Sequence, residues 1–488
     1  MFTIMIAIFV LGYLAIALEH PIKVDKAASA LLLGSILWAL YALFSDKILT
    51  LGFSPSWEEI KLSAQSIVQH IKPAMDPNHF ANTPFRETVD LAGHSTSFVK
   101  EELGHHLKDI AEILFFLFGA MTIVEVIDQH QGFTVITDKI STTSKVKLLW
   151  IIGFITFFMS AVLDNLTTTI VMIALLRKLI SDRPTRWFYA SMIVIAANAG
   201  GAWSPIGDVT TIMLWIGGEI TTVNIILKVF LPSLFNMLIP LIILSFIVKG
   251  DVKRPEKAHQ VTDITTPFER TFILVLGVSM LLFVPVFKTI THLPPYVGML
   301  FGLGILWLVS EIMHRDKEDE VRKKLTIFHI VKRVDTPTIF FFLGILLAVA
   351  ALQSAGHLSL LSGWLDAKLH NIFQINLAIG AISAVVDNVP LVAGAMGMYQ
   401  IVTPDMLKVA SDITYAGTFV QDGLFWEFLA YCAGTGGSML IIGSAAGVAA
   451  MGLERIDFIW YMKRISLLAL SGYLGGAAIY WLQAQIIA

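Results

Sequence analysis

A seven-residue stretch that occurs twice within apolar sequence is the feature that most constrains this chain. Residues 160–166 read Ser-Ala-Val-Leu-Asp-Asn-Leu and residues 383–389 read Ser-Ala-Val-Val-Asp-Asn-Val, at a constant offset of 223 residues (383 − 160). A carboxylate at hydrocarbon depth costs about 2.5 kcal/mol or more, so Asp164 and Asp387 indicate functional sites. Two such sites related by an internal repeat predict a transporter.

The rest of the chain predicts an all-α polytopic membrane protein. Of its 488 residues 56% are hydrophobic and 15% charged, whereas soluble domains carry about 25% charged residues. The nearly uncharged stretches 271–287 and 338–355 approach or reach the ~20 residues that span a bilayer core. A single cysteine, Cys432, excludes a disulfide framework within the chain. No nucleotide-binding loop is evident, since no strand precedes the Gly-Gly pairs, so we expect no cofactor and an ion gradient as the energy source.

Ten membrane helices are predicted from the apolar stretches. They lie at 2–18, 27–50, 107–128, 187–218, 222–249, 270–290, 293–312, 336–355, 424–452 and 458–485. The N-terminal stretch has no basic region before it; the small residues at 15–17 resemble a cleavage site, but the repeat needs this helix and we expect it to be retained.

The segments 148–180 and 373–403 contain the Asp-Asn pairs and leave two possibilities open, two full crossings each or one re-entrant hairpin each. An arm of about fifteen residues spans roughly 22 Å, short of a ~30 Å core, which favours hairpins. With hairpins, 24 of the 34 Lys and Arg residues fall in loops on one side. That side is then cytoplasmic and both termini lie outside.

The hairpin assignment divides the chain into two inverted-topology repeats, residues 1–249 and 270–488, joined by a cytoplasmic linker at 250–269. Each repeat has five transmembrane helices plus a re-entrant hairpin, and one helix of each is interrupted, at 187–218 and 424–452. Five crossings is an odd number, so the second repeat is inverted relative to the first. Such repeats are typical of secondary transporters with a binding site near the membrane midplane.

Residues 51–106 are predicted to form a polar external loop. Glu112 is a possible relay group, while Glu125 and Asp128 are expected at the cytoplasmic rim. Several histidines are expected in solvated external or loop positions: His94, His105, His106 and His130.

The interrupted helix of the first repeat supplies a second group of polar residues. Residues 198–211 read Asn-Ala-Gly-Gly-Ala-Trp-Ser-Pro-Ile-Gly-Asp-Val-Thr-Thr. Glycine and proline end a helix and free carbonyl oxygens, which suit a hard cation such as Na⁺. The counterpart at 434–444 is equally broken but has no carboxylate.

These segments together predict an ion- and proton-binding site, with Na⁺ at the three carboxylates Asp164, Asp208 and Asp387. All the candidate side chains bear oxygen, and no Lys or Arg lies within these motifs, which favours a cation over an anion. The candidates are Asp164, Asn165, Thr167, Asn198, Asp208, Thr210, Thr211, Ser383, Asp387, Asn388, Thr435 and Ser438. A carboxylate removed from water holds its proton more tightly. Competition between H⁺ and Na⁺ for it is enough to exchange them, provided that the site faces one side at a time.

At residues 160–167 and 198–211 the chain resembles the NhaD family of sodium/proton antiporters, within the ion transporter superfamily. The dicarboxylate/sodium symporters of that superfamily resemble this architecture but place Ser-Asn-Thr at the hairpin tips, where this chain has Asp-Asn. The resemblance implies a homodimer, with a scaffold domain and a moving transport domain. It also implies transport roles for Asp164, Asn198, Asp208, Thr210 and Thr211, and less specifically for Ser383, Asn388, Thr435 and Ser438.

The sequence therefore predicts a Na⁺(Li⁺)/H⁺ antiporter for pH homeostasis, embedded in the lipid bilayer of a bacterial inner membrane. The alternative is a sodium-coupled symporter of a di- or tricarboxylate or another anion on the same scaffold. A membrane-embedded metal-dependent protease would need a motif such as His-Glu-x-x-His, which the sequence lacks. A receptor or structural membrane protein would not need two broken, carboxylate-bearing repeats. No enzyme and no nucleic-acid partner are expected.

Overall fold

The computed structural model of the protein describes residues 1–17, 19–72, 83–137, 140, 142–253 and 264–487. Within these ranges the ordered backbone is helical, apart from one antiparallel bridge between Ser144 and Asp251. The predicted all-α class is confirmed.

The main helices are numbered α1 to α20 along the chain. They are α1 Phe2–Ala17, α2 Lys26–Leu43, α3 Pro55–Ser66, α4 Pro84–Gly93, α5 Ser95–Gln129, α6 Lys145–Leu163, α7 Asn165–Leu179, α8 Arg183–Ala202, α9 Val209–Gly217, α10 Thr222–Ile247, α11 Pro267–Thr291, α12 Pro295–His314, α13 Thr336–Ser354, α14 His357–Lys368, α15 Ile372–Ile382, α16 Asn388–Met398, α17 Leu424–Gly436, α18 Ala445–Glu454, α19 Phe458–Arg464 and α20 Ser466–Ile487.

Eight of the described helices are long and apolar enough to cross a membrane, which supports the polytopic prediction. They are α2, α5, α6, α10, α11, α12, α13 and α20. The helices α1, α15, α16 and α18 are apolar but shorter. Three predicted helices differ from the structure. The second ends at Leu43 and is followed by a short helix Ser45–Leu49, the third begins at Ser95, and the last is divided at Ile465 into α19 and α20.

The chain forms two compact units. The first comprises Met1–Leu114, Thr336–His370 and Ala393–Gln400. Its helices α2 and α13 cross closely at a pair of glycines, because a Cβ on Gly344 would lie 2.3 Å from the carbonyl carbon of Ala30. A side chain at this crossing would separate the two helices.

The second unit comprises Phe115–Asp335, Asn371–Val392 and Ile401–Ala488, and it contains all the candidate site residues. Helices α6 and α7 fold back on each other within it. Lys145 N at the start of α6 donates to Gly250 O at 2.9 Å, and Ser181 N after α7 donates to Lys253 O at 2.9 Å. Both outer ends of this pair therefore lie against the segment that follows α10. We call this part of the unit the Ser144 end.

Helices α15 and α16 fold back in the same manner at the other end of α10. Asn376 Nδ2 in α15 donates to Phe425 O at 3.0 Å, and Val402 N after α16 donates to Phe419 O at 3.0 Å. The start of α10 is held at the same place, because Thr221 N donates to Asp422 Oδ1 at 2.6 Å. We call this part of the unit the Asp422 end.

Much of region 51–106 is helical where it is described, and its external position stays a prediction. Helix α3 begins at Pro55, and the preceding Ser54 caps it by accepting a hydrogen bond from Trp57 N at 3.4 Å. Pro at the first helical position and Ser at the N-cap are helix-start signals. An apolar-run criterion misses such helices because their sequence is polar. Residues 73–82 lie outside the described residues.

The prediction that His130 is solvated was wrong. Its side chain is fully buried, with Nε2 2.8 Å from His314 Nε2 and Nδ1 2.6 Å from Val126 O. The end of α12 covers it, and Thr265 Oγ1 donates to its carbonyl oxygen at 3.0 Å. The bond to Val126 O requires a proton on Nδ1. Because both rings are buried, a second proton on either is disfavoured, so Nε2 of His130 accepts from His314 and the pair is neutral.

This neutral pair predicts that acid destabilises the fold. Burial lowers the pKa of His130, whereas an unfolded histidine titrates at about 6.5. Below that pH the unfolded chain binds the additional proton, so the free energy of unfolding falls as the pH falls. We expect His130→Gln to flatten the dependence of Tm on pH between about 7.5 and 5.5, measured on detergent-purified protein. His94→Gln, at an exposed histidine, is the control; an equal flattening there would contradict the assignment.

Candidate functional site

The break between α8 and α9 places a carboxylate inside the protein. Asp208 is 1% exposed and caps α9: its Oδ1 accepts from Thr210 N at 2.9 Å and from Thr210 Oγ1 at 2.7 Å. Its Oδ2 accepts from Asn165 Nδ2 at 2.6 Å. All three donors are neutral, so within these bonds no cationic side chain balances a charge on Asp208.

Asn198 joins this carboxylate group to the second broken helix. Its Oδ1 accepts from Asn165 Nδ2 at 3.1 Å, and its Nδ2 donates to Ser438 Oγ and to Ser444 Oγ, both at 2.9 Å. The four side chains are buried. Residues from the first tip, the first break and the second break therefore form one network, which contains the predicted Asn165, Asn198, Asp208, Thr210 and Ser438.

Asp164 forms the tip between α6 and α7. Its Oδ1 accepts from Thr167 N and its Oδ2 from Thr167 Oγ1, both at 2.8 Å, so it caps α7. The backbone at Asp164 has φ 73° and ψ 161°, a region that favours glycine. Asp164 lines a small cavity in which the other lining residues are uncharged: Phe116, Leu117, Ala120, Met121, Val124, Val162, Leu163, Ile206, Ile212, Leu281 and Met299. The cavity brings one carboxylate to an otherwise apolar space.

The second tip is arranged differently from the first. Asp387 Oδ1 accepts from Val389 N at 3.2 Å. Asn388 is 4% exposed, and its Nδ2 has no hydrogen-bond partner among the described residues. A buried amide donor without a partner is costly and marks a place where a bond is made in another state or with a ligand.

The remaining predicted hydroxyls bond to backbone carbonyls. Ser383 Oγ donates to Ala433 O at 3.1 Å, Thr435 Oγ1 to Tyr431 O at 2.6 Å, and Thr211 Oγ1 to Ala202 O at 3.4 Å. Ser383 thus joins the second tip to α17, and Thr211 joins α9 to α8, whereas Thr435 bonds within its own helix.

Each tip is seated on a break through closely approaching glycines. A Cβ on Gly207 would lie 2.8 Å from Ser160 O, and one on Gly443 would lie 2.4 Å from Ser383 O. The two tips and the two breaks therefore repeat the same contact. The tips are offset by 223 residues and the breaks by 236 (443 − 207).

Sequence reasoning missed Ser444 as a site residue. Ser444 caps α18 through Gly447 N at 3.1 Å and accepts a hydrogen bond from Asn198. It stands at the offset of 236 residues from Asp208, the cap of α9 (444 − 208). Adding the 236-residue offset between the two breaks to Asp208 would have identified Ser444. The second half thus supplies a neutral oxygen where the first supplies a carboxylate.

The arrangement suits a cation held by one carboxylate and several neutral oxygens. Among the described residues, the structure contains no group of three or more His, Cys, Asp and Glu side chains that could hold a metal ion, so the three predicted carboxylates do not form a single cluster. Oxygen ligands in small number, with one negative charge, match a singly charged hard cation. Asn165 connects Asp208 to Asn198, and Asn198 connects both to the hydroxyls of Ser438 and Ser444.

Known proteins resemble this chain over most of its length. A family model described as citrate transporter (CitMHS) matches residues 4–416. Sodium/proton antiporter 1 of Arabidopsis thaliana is 46% identical over 390 residues, which cover 80% of this chain and 65% of that protein, just under two thirds of its length. Sodium/proton antiporter 2 of the same plant is 45% identical, over 79% of this chain and 88% of that protein. The Na⁺/H⁺ antiporter NhaD of Vibrio parahaemolyticus is 31% identical, over 78% and 92%.

Proposed function

Since the chain belongs to the NhaD-type sodium/proton antiporter family, we propose that it is a secondary transporter that exports Na⁺, and also Li⁺, in exchange for H⁺. The observation that carries the proposal is Asp208, a buried carboxylate whose hydrogen-bond donors are all neutral. A buried carboxylate without a cationic partner is stable only when it holds a proton or a cation. Asp208 therefore has the properties that exchange requires.

Exchange follows from competition at this carboxylate. When Na⁺ arrives, Asp208 gives up its proton, and the Asn165 amide must move away from Asp208 Oδ2 to free that oxygen. Asn198 then offers its Oδ1, and the Ser438 and Ser444 hydroxyls lie next to it. When the site faces the other side, a proton displaces the cation. Because both ions need the same carboxylate, neither leaves without the other entering.

Two inverted repeats, each with a re-entrant hairpin, are supported by the ends at which the hairpins are held. The pair α6–α7 lies against the segment after α10, and the pair α15–α16 lies against the residues around Asp422, beside the start of α10. Helix α10 has 26 residues, about 39 Å at 1.5 Å per residue, so these ends lie on opposite sides of a bilayer core. The Ser144 end carries Lys145, Lys253 and the arginines of the 177–186 loop, so we propose that it is cytoplasmic.

Further features remain part of the proposal. Transport of Li⁺, a role in pH homeostasis, a homodimer and outward-facing termini follow the NhaD resemblance and the charge distribution. A bacterial plasma membrane is consistent with bacterial relatives such as the Vibrio parahaemolyticus NhaD, although relatives of higher identity are from a plant.

The symporter alternative is not favoured. An anionic substrate would need cationic side chains or several free backbone donors at the tips. The residues bonded in the network are carboxylate, amide and hydroxyl groups. The family model that matches this chain is described as a citrate transporter, so uptake of citrate is a direct test of the alternative.

The proposal predicts that Na⁺ and Li⁺ dissipate a pH gradient in everted vesicles carrying the protein, monitored with a ΔpH-sensitive dye. KCl and succinate should leave the gradient unchanged. Asp164→Asn is expected to remove most of the response, because the neutral amide cannot hold an exchangeable proton at the tip. Accumulation of labelled succinate or citrate with Na⁺, in the absence of any cation-driven dissipation, would overturn the antiporter proposal.

A further inference from the structure

The last residue of α18, Glu454, is a buried carboxylate held by two arginines. Its Oε1 accepts from Arg177 Nε at 2.7 Å and its Oε2 from Arg186 Nε at 2.9 Å, and its side chain is 1% exposed. Arg177 lies in the last turn of α7, and Arg186 lies in the first turn of α8. One carboxylate therefore joins the first hairpin and the first broken helix to the second broken helix.

The same turn of α18 receives further donors. Trp187 Nε1 donates to Glu454 O at 3.1 Å, Arg183 donates to Arg455 O at 3.1 Å, and Arg177 also donates to Leu453 O. The final carbonyls of a helix lack intrahelical partners and carry partial negative charge, so cationic donors bind them well. The end of α18 is thus fixed in position and direction.

The other end of α18 is fixed at the ion site. Ser444 caps this helix and accepts a hydrogen bond from Asn198 of α8. Helices α8 and α18 are therefore joined twice, by Arg186–Glu454 and by Asn198–Ser444. The joints are 12 residues apart on α8 (198 − 186) and 10 on α18 (454 − 444), about 18 Å and 15 Å. Movement of α18 along α8 would break both joints.

A corresponding joint at the Asp422 end connects the residues before α10 to the residues before α17. Thr221, just before α10, donates from N and from Oγ1 to the two carboxylate oxygens of Asp422, at 2.6 Å and 2.7 Å. Asp422 stands at the repeat offset of 236 residues from Arg186 (422 − 186). Arg186, at the start of the first broken helix, thus holds the end of the second. Asp422, just before the second broken helix, holds the chain that follows the first.

We propose that Glu454 is a positioning residue for ion binding: it keeps the hydroxyl oxygens of the second break in register with the carboxylate and amides of the first. It does not touch the ion. It fixes the far end of the helix whose cap, Ser444, bonds to Asn198. The inference rests on the proposed antiporter function, because its readout is cation-dependent exchange.

The test compares Glu454→Gln with a matched surface variant, in the full-length protein and in the same vesicle assay. Glutamine keeps the size of the side chain but removes the charge that both guanidinium groups share. The control is Asp405→Asn, which breaks an exposed pair with Lys408, 2.7 Å apart and with side chains 74% and 89% exposed. Exposed pairs contribute little. A second variant, Arg177→Gln, removes one half-exposed arm of the joint and leaves Arg186 in place.

We expect Glu454→Gln to raise the half-saturating Na⁺ concentration by about tenfold, and Arg177→Gln to raise it less. The maximal rate per transporter should change less than the half-saturating concentration, and Asp405→Asn should match the wild type. A purely structural role would instead lower the amount of protein and leave the half-saturating concentration unchanged, which would overturn the inference.

If Glu454→Gln does not accumulate in the membrane, Arg177→Gln decides. A raised half-saturating concentration in that variant supports the inference, and a wild-type value overturns it. A wild-type protein that does not exchange Na⁺ for H⁺ overturns the antiporter proposal together with this inference, so the two failures are distinguished by the wild-type control.

Discussion

Replacing Asp208 with asparagine is expected to abolish Na⁺- and Li⁺-dependent dissipation of a pH gradient, down to the level of vesicles without the protein. The side chain is buried and bonded to Thr210 and Asn165, and asparagine preserves its size. Its Oδ1 still accepts the bonds from Thr210, so the cap of α9 is retained. What is lost is the charge for which H⁺ and Na⁺ compete, together with the bond that Oδ2 accepts from Asn165, because an amide nitrogen cannot accept a hydrogen bond.

The measurement pairs dye-monitored vesicle transport with quantification of the protein in the membrane. Asp316→Asn, at an aspartate 88% exposed on its side chain, is the matched control and should transport normally. Asp208→Asn should be present in normal amounts with an unchanged elution profile in detergent. Transport by Asp208→Asn at half or more of the wild-type rate would show that another group carries the exchanged charge.

Gly200→Ala is expected to prevent folding of the site region. A Cβ on Gly200 would lie 2.1 Å from the carbonyl oxygen of Phe157. The backbone of two packed helices fixes the position of both atoms, so no side-chain rotation can relieve the contact. Overpacking by one methyl group costs about 1–3 kcal/mol and more where backbone must move. We expect loss of most of the folded protein, or a drop in Tm of several degrees, measured by fluorescence-detected size exclusion after a heating series.

The equivalent contact in the second half gives an independent replicate. A Cβ on Gly436 would lie 2.1 Å from the carbonyl oxygen of Gly380, so Gly436→Ala should behave as Gly200→Ala does. Gly304→Ala in α12 is the control, because no atom lies within 4 Å of its Cβ position. Alanine also has the higher helix propensity there. Equal stability of all three variants would mean that α6 and α15 do not pack against α8 and α17 as closely as these distances require.

The parts of the fold that the sequence predicted are those with local signals. The paired Gly-Gly and Gly residues around 200–207 and 436–443 marked both breaks, because glycine and proline interrupt helices wherever they lie. The Asp-Asn pairs marked both tips for the same kind of reason: charge within an apolar stretch is visible in the sequence itself. Asn165, Asn198 and Asp208 were accordingly predicted, and in the structure Asn165 donates to both of the others.

The parts that the sequence did not predict depend on contacts between distant residues. His130 reads as a loop histidine until His314, 184 residues away, is placed beside it. Glu454 reads as an ordinary helix-end carboxylate, since nothing near it in the chain announces Arg177 and Arg186. The start of α5 at Ser95 was missed because its first turns are polar. A hydropathy criterion detects the part of a helix that lies in the membrane and not the polar turns outside it.

At Asp164 the proposed role in transport and the stability of the fold make opposite demands on the residue type. Its φ of 73° with ψ of 161° lies where non-glycine residues incur about 1–3 kcal/mol of strain. Glycine would relieve that strain but would remove the carboxylate and the cap of α7. A lineage that no longer needed ion exchange would therefore be free to drift towards glycine at position 164.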